Sequence, residues 1–423
     1  MILRPRLWLL LTTLTLLSIV TFSSISVYAD PLLNAGTIFG SAATIDTEGS
    51  LIVLGSSSTF SNGQSQAFFF KFVSSLPDSP TGQRACMRTF GDTEPLQTFG
   101  YGVVTDSSNN IYIIGSTQTI GGEDYDVFLQ KYDQSCNLLY TRQWGGAGND
   151  IPRGIAVDTS DNVYITGYTN SFANGQTQIF LLKYDSLGEL QFSVTWGGIR
   201  NDYGMGVAVD PLGNVYVVGT TSTLGYGNGA TNALLLKYDS FGNLKYQKPL
   251  GGTLGGTQNT YGTGITVNAA GYVYVTGYSY ALGPTPGVST VFLQSYDQSG
   301  NLLFQKTWGG IKNDYATAVT VDLDGNVYVT GYTKSYSVTP DVPSAFLLKF
   351  DQAGNLVFQR TWGGHRGDFA YGITVDTTEN VYITGYTFSF GPNTQGTNFF
   401  ILKYDISGNL MWQKLYGGGI PDP

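Results

Sequence analysis

One pattern recurs along the chain, and this repetition limits the possible folds more than any other feature. An aromatic residue followed by glycine returns at regular intervals, and from the second copy onward the steps are 54, 52, 54, 58, 54 and 54 residues. Periods of this length are typical of proteins built from structural repeats, propellers among them. The positions are Phe39, Phe90, Trp144, Trp196, Leu250 (which replaces the aromatic residue), Trp308, Trp362 and Tyr416.

Each repeat contains four short segments of β character. Examples are "GVAVD" (206–210), "VYVTG" (327–331), "FLLKY" (180–184) and "LLFQKTW" (302–308), in the order of the repeat. Short segments rich in Val, Ile, Tyr and Phe indicate strands. The linkers between the first and second segments, and between the third and fourth, read "DLDGN" or "DISGN". They predict tight hairpin turns in which Asp caps the turn and Gly or Asn adopts a positive φ.

These repeats predict an all-β fold, a seven-bladed β-propeller of four-stranded antiparallel blades that spans residues 30–423. One such sheet cannot bury both of its faces alone, whereas sheets arranged radially cover one another. The ring should close without extensive exchange of strands between its ends. Residues 34–40 imitate the end of a fourth strand, and we expect them to lie against blade seven as a short extra strand or seam.

The segments "TWGGIKND", "VDLDGNVYVTGYT" and "KYDISGNL" together resemble the SBBP repeat of bacterial and archaeal β-propellers. The resemblance covers nearly the whole chain after residue 36. It implies the propeller fold and an exported or cell-surface protein, and it implies no particular activity.

Residues 1–29 are predicted to be a secretory signal peptide. Arg4 and Arg6 precede an apolar segment at 7–22, and Val27 and Ala29 fit a small-residue cleavage site. The alternative is an uncut membrane anchor. After cleavage we expect a secreted or cell-surface protein without a membrane span. With 30 acidic against 21 basic residues, the chain is poorly suited to bind nucleic acid.

The chain has two cysteines, Cys86 and Cys136. In an oxidising compartment they could form a disulfide. The alternative, two free thiols, stays open at this point.

Comparison among the repeats separates structural from functional residues. A feature found in most blades should serve the blade, and this applies to Trp144, Trp196, Trp308 and Trp362, which should fill the gap to the next blade. It applies also to the aspartates that follow these segments, three of which have a basic residue two positions earlier. We interpret them as members of ion pairs and loop hydrogen bonds, with a cation-binding ring of carboxylates near the channel mouth as the alternative. The four are Asp150, Asp202, Asp314 and Asp368.

The loops between the second and third strands vary most, and they share a face with the connections between blades. We call this the loop face, and the opposite side, with the hairpin turns, the turn face. The fifth loop residue is always apolar and should serve packing. The candidate ligand-binding residues are the blade-specific Tyr226, Tyr280, Lys334 and Phe388, and the candidate site for a cation such as calcium is Glu123, Asp124 and Asp126.

The sequence therefore favours an exported binding or scaffold module that recognises a carbohydrate or an extracellular protein without a cofactor. No catalytic residue is assigned, because no nucleophile or phosphate-binding motif stands out and the sole histidine, His365, lies in a loop. The alternative is an extracellular polysaccharide-active enzyme, a lyase or hydrolase, with an acidic site.

Overall fold

The computed structural model describes residues 38–61, 64–73, 84–90, 97–118, 124–172, 176–224, 230–251, 258–391 and 396–417. In these ranges the chain forms 28 strands in seven four-stranded antiparallel sheets, which confirms the predicted propeller. The predicted signal peptide lies outside them. The described ranges contain no helix of the length and apolar character needed to cross a membrane.

Each blade takes four consecutive strands. Blade one contains β1 (Ile38–Ile45), β2 (Leu51–Ser61), β3 (Gln64–Phe72) and β4 (Arg84–Phe90); blade two β5 (Thr98–Thr105), β6 (Ile111–Gln118), β7 (Tyr125–Tyr132) and β8 (Leu138–Trp144); and blade three β9 (Asp150–Val157), β10 (Val163–Thr169), β11 (Gln178–Tyr184) and β12 (Leu190–Trp196). Blade four contains β13 (Asp202–Val209), β14 (Val215–Thr221), β15 (Asn232–Tyr238) and β16 (Leu244–Leu250), and blade five β17 (Thr260–Val267), β18 (Val273–Ser279), β19 (Thr290–Tyr296) and β20 (Leu302–Trp308). Blade six contains β21 (Asp314–Val321), β22 (Val327–Thr333), β23 (Ser344–Phe350) and β24 (Leu356–Trp362), and blade seven β25 (Asp368–Val375), β26 (Val381–Thr387), β27 (Asn398–Tyr404) and β28 (Leu410–Gly417).

The ring closes without an exchange of strands, as predicted, because β25 to β28 complete blade seven in chain order. β1 packs directly against β25 and β26, and the backbone amide of Ile38 donates to Thr397 Oγ1 at 3.0 Å. The expectation of a separate strand at residues 34–40 is wrong for its described part. Residues 38–40 begin β1 and pair with Ser57, Ser56 and Gly55 of β2.

The hydrophobic core lies between blades. Tyr164 and Leu181 of blade three, for example, form one buried cluster with Val217 and Leu236 of blade four. The middle strands of each blade are covered on both faces, as in β14, where every residue is buried. This explains why the second and third segments of each repeat are continuous apolar runs rather than alternating patterns.

The repeated tryptophans fill the gap to the following blade, as predicted. The ring of Trp308 lies 4.9 Å from that of Tyr336 and 4.7 Å from that of Phe346, both in blade six. Its indole N–H donates to Oε1 of Gln359 on β24 at 2.8 Å. Tyr336 is also a fifth loop residue, so the predicted packing role of that position is confirmed here.

A buried or half-buried lysine near the end of the third strand links consecutive blades on the turn face. In blade four, the hydroxyl of Tyr216 donates to Asp210 Oδ2 at 3.1 Å, and Lys237 Nζ lies 5.2 Å from the centre of the Tyr216 ring. The same ammonium donates to the carbonyl oxygen of Gln298 in blade five at 2.7 Å. We call such a residue the turn-face lysine. It recurs as Lys71, Lys131, Lys183, Lys237, Lys349 and Lys403.

Cys86 and Cys136 form a disulfide, with their Cα atoms 6.5 Å apart. Cys86 lies on β4 and Cys136 in the turn between β7 and β8. The bond therefore joins the outer edges of blades one and two, and the pairing that the sequence left open is present.

Candidate functional site

The four repeated aspartates are structural clamps within their own blades. Asp202 is fully buried, and its carboxylate accepts hydrogen bonds from the hydroxyls of Thr221 at 2.6 Å and Thr223 at 2.7 Å. The amide of Gly198 donates to the same carboxylate at 3.1 Å. These bonds tie the connection between blades to the loop after the second strand, so the predicted loop hydrogen bonds are confirmed.

The predicted pairing with a basic residue two positions earlier is wrong in blade six. Lys312 forms its ion pair with Asp341 at 2.8 Å. Asp314 instead accepts from the hydroxyls of Thr333 and Ser335. Because both oxygens of this buried carboxylate are engaged inside the blade, they are not turned toward a cation in the channel.

The predicted acidic cluster lies at the junction of blades two and three. Glu123 lies outside the described residues. The carboxylate of Asp126 is close to that of Asp150, since a Cβ placed on Gly145 would lie 1.9 Å from an oxygen of the former and 2.7 Å from one of the latter. Burial raises the pKa of Asp126, and the charges of Asp150 and Asp124 raise it further. In the described residues no three His, Cys, Asp or Glu side chains are grouped as metal ligands, so this cation site stays a prediction.

Three of the four predicted ligand-binding residues occupy the same position in consecutive blades. Tyr280 directly follows the second strand of blade five, Lys334 that of blade six and Phe388 that of blade seven. Their backbone amides donate to the carbonyls of Asn259, Asn313 and Gly367 at 2.9 to 3.1 Å, which fixes all three on the loop face. Tyr226 lies outside the described residues.

Beneath these residues the structure shows a continuous chain of seven aromatic rings, which we call the aromatic belt. It runs from blade five through blades six and seven to blade one, and each ring centre lies 4.8 to 5.0 Å from the next. Tyr280 and Phe388 attach to it, with ring centres 6.2 and 5.8 Å from those of Tyr278 and Tyr386. The belt consists of Tyr261, Tyr278, Tyr315, Tyr332, Phe369, Tyr386 and Phe39.

The belt is partly open to solvent, and the hydroxyls of Tyr278 and Tyr332 stay protonated within it. Phe39 and Phe388 retain 39 % and 38 % of their accessible surface. Burial and then the neighbouring tyrosines raise the pKa of Tyr278 and that of Tyr332 to about 12. At neutral pH these hydroxyls are therefore neutral groups that can both donate and accept hydrogen bonds.

A second set of blade-specific residues lies around the central channel. A β-bulge interrupts the pairing of the first and second strands in every blade. In blades two to seven the unpaired residue lines a channel cavity of about 200 Å³. Bulges re-aim side chains and are common beside binding sites. The unpaired residues are Ser41, Tyr101, Arg153, Met205, Thr263, Thr317 and Tyr371.

The sequence analysis missed this set, although its own criterion could have found it. Arg153 is the one basic residue of the set, and its guanidinium lies 4.8 Å from the ring centre of Tyr101 and 5.6 Å from that of Tyr168. The flanking positions are nearly constant in all repeats, whereas this one changes from blade to blade. That contrast was readable from the sequence without a structure.

Comparisons with known proteins agree with this architecture. The family model described as "SBBP: Beta-propeller repeat" matches residues 94–121, 139–174, 195–226, 309–337 and 359–389. The uncharacterized WD repeat-containing protein L264 of Acanthamoeba polyphaga mimivirus is 24 % identical over 74 % of this chain and 33 % of its own length. The regulatory protein FlaEY of Caulobacter vibrioides is 26 % identical over 59 % of this chain and 31 % of its own.

This chain spans about a third of the length of these curated relatives. Among solved structures, the β-propeller domain of the Trilobed protease from Pyrococcus furiosus, which has an open velcro topology, superimposes with a TM-score of 0.51. That match covers 88 % of this chain and 95 % of the other at 10 % identity, so it shows a shared fold alone. The five matched segments confirm the resemblance drawn from the sequence: this protein is a seven-bladed propeller in which five segments match the SBBP β-propeller repeat.

Proposed function

We propose that the protein is an exported, non-catalytic binding or scaffold propeller that recognises a carbohydrate or an extracellular protein through its loop face. The observation that carries this proposal is the aromatic belt with Tyr280, Lys334 and Phe388 beside it. Partly exposed rings offer flat apolar faces to a sugar or a protein side chain, and the neutral tyrosine hydroxyls supply hydrogen bonds.

The belt is suited to binding because its geometry exists before a ligand arrives. The rings rest on the inner strands of rigid blades and contact one another across blade boundaries. A ligand therefore meets side chains that have already lost most of their conformational freedom, which lowers the entropic cost of association.

Export is supported by the disulfide between Cys86 and Cys136, because structural disulfides persist in oxidising compartments. The predicted signal peptide points to the same destination. Expression with residues 1–29 and sequencing of the mature N-terminus tests this part. A chain that begins after Ala29 in the extracellular fraction is expected, and an uncut cell-associated chain would contradict it.

The alternative of a polysaccharide-active enzyme needs two carboxyl groups open to a sugar. The candidate pair is Asp126 and Asp150, whose carboxylates lie close together on the loop face. Asp150 is fully buried, and its carboxylate accepts from the amide of Gly146 at 2.9 Å and the hydroxyl of Ser171 at 2.6 Å. The pair therefore fits a structural role better than glycosidic catalysis, and binding without covalent chemistry is the function we favour.

A glycan array, followed by titration of the best ligand, tests the proposed function. Replacing Tyr280 and Phe388 together with Ala removes two rings, each contributing about 1 kcal/mol, so affinity should fall roughly 30-fold. Phe241→Ala is the matched control, because this exposed aromatic residue lies in a turn on the opposite face. Loss of binding in the control with retention in the double variant would show that the wrong face has been chosen.

A further inference from the structure

Blade five departs from the other blades at two positions that form a buried ion pair in blades one and two. Asn268 stands where the other six blades have the Asp of the first hairpin turn, and Ser295 stands where they have the turn-face lysine. In blade one the corresponding pair, Asp46 and Lys71, is a buried ion pair of 3.0 Å. Blade five therefore lacks both partners of an ion pair at once.

The missing lysine coincides with a cleft on the turn face. A cavity of about 660 Å³ lies between blades five and six, within the size range of small-ligand sites. The fully described segments around it contribute Asn268, Tyr274 and Ser295 from blade five and Asp322, Asp324 and Gln352 from blade six. The tyrosine on which the lysine lies in other blades is thus kept, and Tyr274 is 2 % exposed.

The residues around the cleft are of the same kinds as those that surround the lysine ammonium group in blade four. In blade four, the ammonium of Lys237 lies over the Tyr216 ring and donates to the carbonyl of Gln298. Tyr274 and Gln352 are the corresponding residues for blade five. All charged residues that line the cleft are carboxylates, Asp322 and Asp324. A ring face, a turn carbonyl and two carboxylates attract an ammonium group.

The presence of Asn268 and Ser295 together also explains how blade five can lack the lysine without a large loss of folding stability. Removal of the lysine alone would leave a buried carboxylate without its partner, which is strongly destabilising. Asn268 avoids that charge, and its amide hydrogen-bonds the Tyr274 hydroxyl at 3.4 Å. Blade five is therefore stable without the cation, and a cation from outside can enter and leave.

We propose that the cleft between blades five and six binds a primary alkylammonium group, which takes the place of the missing turn-face lysine. The source is either a lysine side chain of a partner polypeptide or a small free amine. The exposed Leu303 and Tyr272 at the rim supply apolar surface for the alkyl stem and the rest of the ligand. The site lies on the face opposite the aromatic belt, so this proposal can be tested independently of the proposed function.

Calorimetric titration of the full mature chain tests the proposal. The probes are n-butylammonium and a short peptide with one lysine, acetylated and amidated so that the side chain carries the only charge. The same peptide with norleucine, which keeps the stem and lacks the charge, should bind roughly tenfold more weakly or worse. Tighter binding of the lysine peptide than of n-butylammonium identifies a polypeptide source, and equal binding identifies a small amine.

Variants of the chain itself provide the decisive controls. Asn268→Asp with Ser295→Lys restores the pattern of the other blades, fills the cleft and should abolish binding while raising the thermal midpoint. Ser295→Ala leaves the cleft open and should bind as the natural chain does. Asp210→Asn with Lys237→Ser opens a cleft in blade four that faces Asn268 and Ala270 of blade five instead of two carboxylates, so the stoichiometry should stay at one.

Three results would overturn the proposal: neither charged probe binds, the norleucine peptide binds as tightly as the lysine peptide, or the restored variant binds unchanged. The restored variant reproduces the Asp and Lys pair that the other six blades already contain, so it is expected to fold. If the blade-four variant fails to fold, the comparison of the two peptides and the restored variant still decides the question.

Discussion

Cys136 occupies a backbone position that the other blades reserve for glycine, and this separates two contributions to stability. Its φ is 64°, in the left-handed region. The corresponding residue in the turns of blades three to seven is glycine, with φ of 77 to 84°. A side chain in this conformation costs about 1 kcal/mol, so the disulfide to Cys86 has to stabilise the chain by more than that.

The disulfide closes a loop of 50 residues, for which the chain-entropy model gives roughly 4 kcal/mol. We expect Cys86→Ala with Cys136→Ala to lose about this amount of unfolding free energy. Cys86→Ala with Cys136→Gly loses the same covalent bond but relieves the left-handed strain. It should therefore be about 1 kcal/mol more stable than the double-alanine variant.

Urea unfolding followed by tryptophan fluorescence measures all three chains. Gly213→Ala is the matched control for the backbone cost, because Gly213 has φ of 80° and an added Cβ would approach only Ser240, at 3.5 Å. It should lose about 1 kcal/mol. If the alanine and glycine variants at position 136 are equally stable while Gly213→Ala shows its loss, the strain argument at Cys136 is refuted.

Three further predictions concern polar side chains, with a calcium test attached to the last. Trp308→Phe should lose about 1 kcal/mol, because it removes the hydrogen bond that the indole N–H donates to Oε1 of Gln359, and urea unfolding checks this. Asp314→Asn should lose about 2 kcal/mol, since the amide nitrogen cannot accept from the groups that now donate to the carboxylate; an unchanged midpoint would contradict the clamp. Asp126→Asn should raise the thermal midpoint at pH 7 and leave it unchanged near pH 4, because the raised pKa penalises only the ionised form, and protonation removes that penalty as the pH falls. Added calcium should raise the midpoint of the natural chain and not that of Asp126→Asn, and the opposite result would argue against a cation there.

The fold could be predicted from the sequence because each repeat independently contains the same structural signals. The β segments, the Asp-capped turns and the period agree in seven copies, so a weak signal in one blade is corrected by the others. The segment at 34–40 misled because its end, "IFG", looks like the close of an outer strand. In the structure Gly40 lies directly against the Phe399 ring of blade seven. This contact is made by an inner strand, and the local sequence does not predict it.

The candidate sites were predictable only where a departure lies in a loop. Tyr280, Lys334 and Phe388 were found because they differ within an otherwise regular loop. The aromatic belt was not, since three of its tyrosines, Tyr278, Tyr332 and Tyr386, belong to the repeated segment "TGYT" or "TGYS" and were interpreted as blade structure. Only the coordinates show that the rings contact one another across blades. The cleft at Ser295 escaped notice because the turn face was judged uniform, and the loss of one long side chain becomes a cavity only in three dimensions.

The two proposed sites share a physical origin in the repetition itself. A position that carries the same residue in most blades makes the same contacts each time. Such a position gives a ligand no reason to bind one blade rather than another. Ser295 and Tyr280 instead lie on backbone that is held by hydrogen bonds in β19 and directly after β18, and the latter bond recurs in blades two to seven. Because the neighbouring strands hold that backbone whatever side chain it carries, one blade can exchange a structural lysine for a cavity, or a loop residue for an exposed ring. Recognition can therefore change blade by blade while the propeller that supports it stays the same.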